Sequence, residues 1–301
     1  MNISFKLSMN KLTNLPAYIF LRFLCFLLML LPLRVTYLLA RLIGSLMYHV
    51  FRFRRRIVLA NLQIAFGNEM MPERLKKIAQ ESYKQTAMTF LELLIAPKLK
   101  KQVRTILEPE QKVVFRDLLR QGSGLVIVSG HLGGWELGGA AAAAVMEQPF
   151  TVAAVQQSNP YINRFITQRR TDMGMRVAGS KEAMKLLVRA LKSGQAIGLV
   201  ADQSGGRSAV LADFFGRISA TQPGPAKLAL KFKTPMLVGA AIRIGVGKFK
   251  FLLQQVEIRE DDTVESLTQR HVKILESFIR QYPEQYFWLH RRWKKRPPAG
   301  E

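Results

Sequence analysis

The sequence predicts an α/β protein, a mostly parallel sheet flanked by helices, with an N-terminal membrane-anchoring helical segment. Three observations carry this. From Gly124 onward, short apolar runs alternate with helical patterns, the signature of strands joined by crossover helices. Two of those runs, Gly124-Leu-Val-Ile-Val128 and Ala196-Ile-Gly-Leu-Val-Ala201, are continuously apolar and each leads into a polar residue and a glycine turn. Strands buried on both faces read this way. Finally, the chain has no acidic residue before Glu69, while Lys6, Lys11, Arg22, Arg34, Arg41, Arg52, Arg54, Arg55 and Arg56 precede it.

At the N-terminus, residues 15–33 (LPAYIFLRFLCFLLMLLPL) form an apolar stretch interrupted by Arg22 alone. A spanning helix needs about 20 such residues, so a single span with Arg22 snorkelling to an interface fits. A helix lying half-buried in the membrane face fits equally, because residues 34–51 continue amphipathically with Leu38, Leu39, Leu42, Leu46 and Val50 roughly on one face. The soluble alternative is a helical hairpin packed on the core. A cleaved signal peptide fits least, since Arg22 breaks the apolar region and no clear small-x-small site follows. Arg52-Phe-Arg-Arg-Arg56 then stands where anionic headgroups would lie, each cation adding about 1 kcal/mol of surface attraction. The expected division is 1–56 as membrane anchor and amphipathic basic segment, and 57–301 as one catalytic domain without a Pro/Gly/Ser-rich linker.

Helices are expected at 57–66, at 72–94 with Pro72 at the start, and at 110–121. Strands follow at 124–128, 150–155, 176–178, 196–201, 236–242 and 249–258. Helices are expected between and after them at 137–145, 161–173, 181–192, 225–232 and 263–281. The small-residue run Leu137-Gly-Gly-Ala-Ala-Ala-Ala-Ala-Val145 reads as a helix packed closely on the sheet.

Composition narrows the partners. A chain of 301 residues with 49% hydrophobic content buries a large core. Its net charge of +24 requires an anionic partner, and the sequence pI is near 10.6. No zinc-finger spacing, RNP aromatic box or helix-turn-helix pattern supports nucleic acid, so an anionic membrane surface is the expected partner. The single cysteine, Cys25, excludes an intramolecular disulfide, the lack of paired Cys/His spacing argues against a structural zinc site, and the chemistry read below requires neither a metal nor a bound cofactor.

The chemistry concentrates at two strand ends. His131 follows the first apolar strand and Glu136 stands five positions later. On one ideal helix the two would point about 140° apart, so they meet only if His131 sits in the turn and Glu136 in the first helical turn. There a histidine of ordinary pKa near ~6.5 can take a proton from a hydroxyl while a carboxylate fixes its tautomer. The plainer alternative is a histidine satisfied in a tight turn beside a surface glutamate. With no Gly-x-Ser-x-Gly and no cysteine near a histidine, the nucleophile would be the substrate's own hydroxyl. The backbone N–H groups of Gly133 and Gly134, at the helix start, are the expected oxyanion donors. In the second block, Asp202 either caps a turn or organises the crevice, and Arg207 beside Gly205 and Gly206 can approach a phosphate bidentately. Arg169 and Arg170, in a predicted helix, can face the same crevice. Gly245-Val-Gly-Lys248 lacks the spacing of a phosphate loop.

Taken in order, His131-Leu-Gly-Gly-Trp-Glu136, Ala201-Asp202-Gln203, Phe214-Phe215-Gly216 and Pro283-Glu-Gln-Tyr-Phe-Trp-Leu-His-Arg-Arg-Trp-Lys294 with Arg296-Pro297 resemble the lipid A late acyltransferases. The resemblance spans nearly the whole chain. It implies a glycerolipid-acyltransferase-like fold on the cytoplasmic face of the inner membrane. It also implies transfer of an acyl chain from an acyl carrier protein or coenzyme A thioester to a hydroxyl of a phosphorylated glycolipid, a lipid A precursor first. His131 and Glu136 match the family's His-x4-acid pair, and Arg170, Asp202 and Arg207 match positions of its later blocks associated with active site and substrate. Gly134 and Asp213 stand where the family often has Asn and Pro, which weakens any transfer of acceptor specificity. A phosphatidylinositol mannoside is the alternative acceptor, a lipid thioesterase or hydrolase the alternative enzyme, and a non-catalytic basic membrane-binding protein the alternative of another class.

Overall fold

The computed structural model describes residues 3–146, 148–179, 182–206 and 208–293, with residues 3–13 in backbone only. The chain opens with four helices, α1 (Ile3–Leu30), α2 (Leu33–His49), α3 (Arg55–Phe66) and α4 (Pro72–Leu94). A 3₁₀ turn, Ala96–Leu99, leads into the short α5 (Lys100–Val103), and α6 (Pro109–Arg120) follows. The α/β part runs β1 (Leu125–Ser129), α7 (Trp135–Val145), β2 (Phe150–Ala154), α8 (Pro160–Asp172), β3 (Met175–Gly179), α9 (Ala183–Lys192) and β4 (Ala196–Val200). It closes with the hairpin β5 (Val210–Phe214) and β6 (Arg217–Thr221), then α10 (Gly224–Phe232), β7 (Met236–Gly245), β8 (Lys248–Val256) and α11 (Val264–Gln281).

The main sheet has six strands in the order β3-β2-β4-β1-β7-β8, all parallel except β8, which pairs antiparallel with β7. Every expected strand and helix is present. The hairpin β5–β6, a separate two-stranded sheet, has no counterpart in the sequence reading. Alternate residues of β1 feed opposite cores. Val126 and Val128 pack with Val238, Leu275 and Trp288, whereas Leu125 and Ile127 pack with Leu137, Ala141 and Leu237. Helices therefore cover both faces, which explains strands that read as unbroken apolar runs.

Register then sets the site. Val128 lies beside Leu199 and Ser129 beside Val200, so β1 and β4 end at one level and the turns beyond them emerge side by side. This is the crevice outside the carboxyl ends of a parallel sheet, where open α/β folds hold their ligands.

The N-terminal helices lie against the domain: α2 packs on α4, and α1 on α8. Among the described residues no helix is long and apolar enough to cross a membrane, so the spanning reading of residues 15–33 has no helix to carry it. What α1 and α2 display is an exposed apolar surface of Ile19, Phe20, Phe23, Phe26, Leu38 and Leu42, continued by Phe51 and Phe53.

Candidate active site

His131 sits in the turn after β1, and Asp202 grips it twice. Its backbone N–H donates to Asp202 Oδ2 at 2.9 Å, and its Nδ1 lies 2.8 Å from Asp202 Oδ1. Nε2 is left for the crevice, through which 23% of the side chain stays exposed. Burial pushes the imidazole pKa down, but Asp202 and then Glu136 more than reverse this, so His131 ends above its ordinary value. Burial opposes the Asp202 charge as well, yet the imidazolium and its hydrogen bonds hold the carboxyl down to about 2. When protonated the ring forms an ion pair with Asp202, and when neutral it is held by the carboxylate so that Nε2 is the basic atom.

Glu136 is engaged elsewhere. Arg170 of α8 reaches across and donates from Nε to Oε2 at 2.9 Å and from Nη2 to Oε1 at 2.5 Å. The sequence expectation that Glu136 orients the ring is thus corrected: the Nδ1 contact belongs to Asp202, and Glu136 contributes its field from the first turn of α7. The same fork occupies much of Arg170, expected to hold an acceptor phosphate. Arg207 lies outside the described residues, as do Lys294, Arg296 and Pro297 of the terminal block.

The oxyanion expectation is corrected too. Gly133 N–H donates to Gln285 O at 3.0 Å and Gly134 N–H to Ala241 O at 2.8 Å, so both amides are already committed. Gly133 is required for another reason. It has φ of +62°, and a Cβ there would stand 2.1 Å from Ala241 O on β7. The free donors are one step further on: within the described residues the N–H groups of Trp135, Glu136 and Leu137, in the first turn of α7, have no backbone partner.

The sequence leaves the HRRWK ending as either a membrane-facing basic patch or a structural lock for the crevice, and the residues just before it clamp this turn. Leu132 bridges antiparallel to Tyr286, Phe287 N–H donates to His131 O at 2.9 Å, and the Phe287 and Trp135 rings flank the imidazole at 5.8 and 5.1 Å. The buried Tyr286 hydroxyl faces Asp202, and burial with that carboxylate raises its pKa well above the ordinary value. On the other side, Gln203 Nε2 stands 3.4 Å from His131 Nε2. The ordered block 283–293 was visible as a motif, but its spacing offered no partner for it.

Beneath the start of α7 lies a narrow cavity of about 90 Å³, polar at the Glu136–Arg170 end and otherwise lined by Gly138, Gly139, Ala142, Phe150, Met175 and neighbouring strand residues. The small-residue run packs on the sheet and also borders this cavity. Ala140 and Ala141 are buried in helix–sheet packing, while Gly138, Gly139 and Ala142 border the cavity.

Among the described residues no serine or cysteine side chain is hydrogen-bonded to His131. A base without a protein nucleophile, opening beside an apolar slot, suits an enzyme that passes an acyl group to a hydroxyl its substrate brings, and the class is acyltransferase. The chain belongs to the bacterial lipid A biosynthesis acyltransferase family, whose sequence profile matches residues 3–295. It is 28% identical over 278 residues to the lipid A biosynthesis palmitoleoyltransferase of Escherichia coli (strain K12), covering 90% of this chain and 88% of that protein. Against the lipid A biosynthesis lauroyltransferase of the same organism it is 28% identical over 274 residues, covering 89% and 88%. A phosphatidylinositol mannoside acyltransferase of Mycolicibacterium smegmatis (strain ATCC 700084 / mc(2)155) is 26% identical over 179 residues, 58% of each chain.

Proposed function

We propose that this acyltransferase moves a fatty acyl chain from an acyl carrier protein or coenzyme A thioester to a hydroxyl of a phosphorylated glycolipid, a lipid A precursor in the first instance. The observation that carries the mechanism is the double grip of Asp202 on His131, whose ring lies against Trp135 of the slot's lining. His131 Nε2 removes the proton of the acceptor hydroxyl as its oxygen attacks the thioester carbonyl. Asp202 holds the tautomer and balances the imidazolium that forms. The N–H groups at the start of α7 receive the developing oxyanion, helped by the positive end of the helix. As the tetrahedral intermediate collapses, His131 returns its proton to the departing thiolate, and transfer is direct within a ternary complex. The acyl chain occupies the slot beneath α7.

Residues 1–56 serve as the membrane-binding segment and 57–301 as the catalytic domain. The exposed apolar residues of α1 and α2 support an interfacial attachment on the cytoplasmic face of the inner membrane. The acceptor is the part on which the relatives differ. Both E. coli proteins are named for lipid A biosynthesis and align over most of the chain, whereas the mannoside enzyme aligns over a little more than half.

The test is an acyl-transfer assay on the detergent-solubilised protein, with each thioester offered separately and a phosphorylated lipid A precursor as acceptor. Mass spectrometry follows the acceptor, with His131→Ala in parallel. The expected result is an acylated product from the native protein and none from the variant. Thioester consumption without that product would turn the reading toward another acceptor or a hydrolase, and full activity in His131→Ala would remove the base.

A further inference from the structure

A second charged cavity, of about 400 Å³, lies between α1 and α8 and takes no part in the chemistry above. Arg22 enters it from α1, and Arg164 and Arg169 from α8, around Tyr18, Phe165 and Asp172. The Arg169 guanidinium carbon stands 4.8 Å from the centre of the Phe165 ring and that of Arg22 5.8 Å from the same centre, so two like charges share one aromatic ring. Within the described residues none of the three arginines is in an ion pair. Asp172 instead accepts from Gln168 at 2.8 Å. Cys25 behind them supplies no counter-charge, because burial raises its thiol pKa. Arg169 Nε is buried without a hydrogen-bond partner. Buried guanidinium donors are ordinarily satisfied, and Arg169 Nε is not, while the exposed Arg22 and Arg164 face the same space.

The position of the cavity says what completes it. Arg22 shares α1 with the exposed Ile19, Phe20, Phe23 and Phe26. The guanidinium cluster therefore borders the apolar surface that the membrane reading sets against a lipid layer. The joint between the helices is built: Tyr18 stacks on Tyr161 at 5.7 Å, and Asn159 Nδ2 donates to Asn14 O at 2.9 Å. We propose that this cavity is a phosphate site, in which Arg22, Arg164 and Arg169 clamp the phosphate group of a membrane lipid. Forked guanidinium donors match phosphate oxygens in pairs, which a single ammonium cannot do. The inference rests on the membrane reading of α1 and α2 and not on the acyl-transfer chemistry.

The test is binding of the full-length protein to vesicles in the absence of any thioester. Four compositions are used: phosphatidylcholine alone, and phosphatidylcholine with added phosphatidylglycerol, phosphorylated disaccharide lipid or its dephosphorylated form. Arg22→Gln/Arg169→Gln is compared with Arg116→Gln/Arg120→Gln, an equal charge change on α6, which does not line the cavity. The expected result is a loss of at least about tenfold in affinity for phosphate-bearing vesicles in the first variant and about twofold or less in the second. Loss with both phosphate lipids assigns the site to membrane phosphate in general, and loss with the disaccharide lipid alone assigns it to the acceptor's own phosphate. Equal losses in both variants, or none in the first, overturn the proposal. Arg22→Lys/Arg169→Lys keeps the charge and removes the fork, and is expected to fall between native and Gln; an unfolding midpoint for each variant excludes a folding defect. Vesicle binding is read without any thioester and without turnover, so failure of the transferase reading leaves this result intact.

Discussion

Asp202 and His131 are joined at two points, one through the backbone amide of His131 and one through its ring, although 71 residues separate them in the chain. A single carboxylate thereby fixes the turn after β1, the direction of the imidazole and its tautomer. Asp202→Asn would undo the last of these: an amide can donate to Nδ1, letting the ring place its proton on Nε2, where a base is needed. A fall in kcat of about 10³–10⁴ is expected with the fold retained. Glu136→Gln should cost far less, because it weakens the Arg170 fork and not the ring contact. Steady-state kinetics on both variants check the assignment, and equal losses would return the orienting role to Glu136.

The pH profile follows from the same pair. His131 acts as a base only when neutral, and its pKa is raised above 6.5, burial being outweighed by Asp202. Activity is therefore expected to climb with pH through an inflection above 6.5 and to be low in mild acid. In Asp202→Asn burial is no longer outweighed, and the inflection moves down. Stability runs the opposite way: the His131 contribution is complete below pH 6.5 and disappears as pH rises through the raised value. Asp202, held near 2, contributes from above the ordinary carboxylate range and is lost only as pH falls toward that value. Rate–pH curves and urea titrations at several pH values read both.

How far these relationships were written in the chain depends on whether they are local. The two apolar runs, their polar ends and their glycine turns were visible, and so were His131 and Asp202 as strand-end residues. Which carboxylate meets the ring was not visible. Glu136 is near in sequence, whereas Asp202 arrives only because β4 slots beside β1 with Ser129 opposite Val200. The free amides were misplaced for a related reason: Gly133 and Gly134 donate to carbonyls at Gln285 and Ala241, contacts no local pattern announces. The hairpin Val210–Thr221 escaped because Asp213, Phe215 and Gly216 break its alternation; there Phe215 adopts φ of +56° and Gly216 +71°.

Chain-length preference should respond to Met175. Its sulfur would stand 3.0 Å from a Cβ placed on Gly139, and both residues line the slot beneath α7. Met175→Ala lengthens the apolar space, and the ratio of kcat/KM for longer over shorter thioesters is expected to rise about tenfold. Gly139→Leu fills the same space from the helix side and should reverse the trend. Competition between donors of graded length measures both, and an unchanged ratio in each variant would place the chain elsewhere.

Gly133→Ala tests the backbone of the turn independently of its chemistry. The left-handed φ and the 2.1 Å approach to Ala241 O leave no room for a methyl group, so a loss of at least about 2 kcal/mol is expected by urea unfolding. Gly122 supplies the contrast: its φ is +79° but nothing lies within 4 Å of a Cβ, so Gly122→Ala should cost about 1–2 kcal/mol from conformation alone.

The last prediction concerns the support behind that turn. Arg243 of β7 donates from Nε and Nη2 to Glu92 of α4, each at 2.7 Å, and Tyr37 of α2 adds a hydrogen bond to the same carboxylate at 2.6 Å. Arg243 Nη2 also reaches Thr89 Oγ1 at 3.0 Å, and that hydroxyl donates to Gly133 O at 2.8 Å. A buried pair is hard to justify as a source of stability, since desolvation offsets its attraction, but leaving half of it is costly. Glu92→Ala strands a buried guanidinium and is expected to lose about 3–5 kcal/mol, whereas Glu92→Leu/Arg243→Met should regain much of that. If the network also positions the turn, the double variant will unfold at close to the native urea midpoint and still show a lower kcat at unchanged donor KM. A purely structural pair would give full activity once stability is restored, so the kcat of the double variant separates the two.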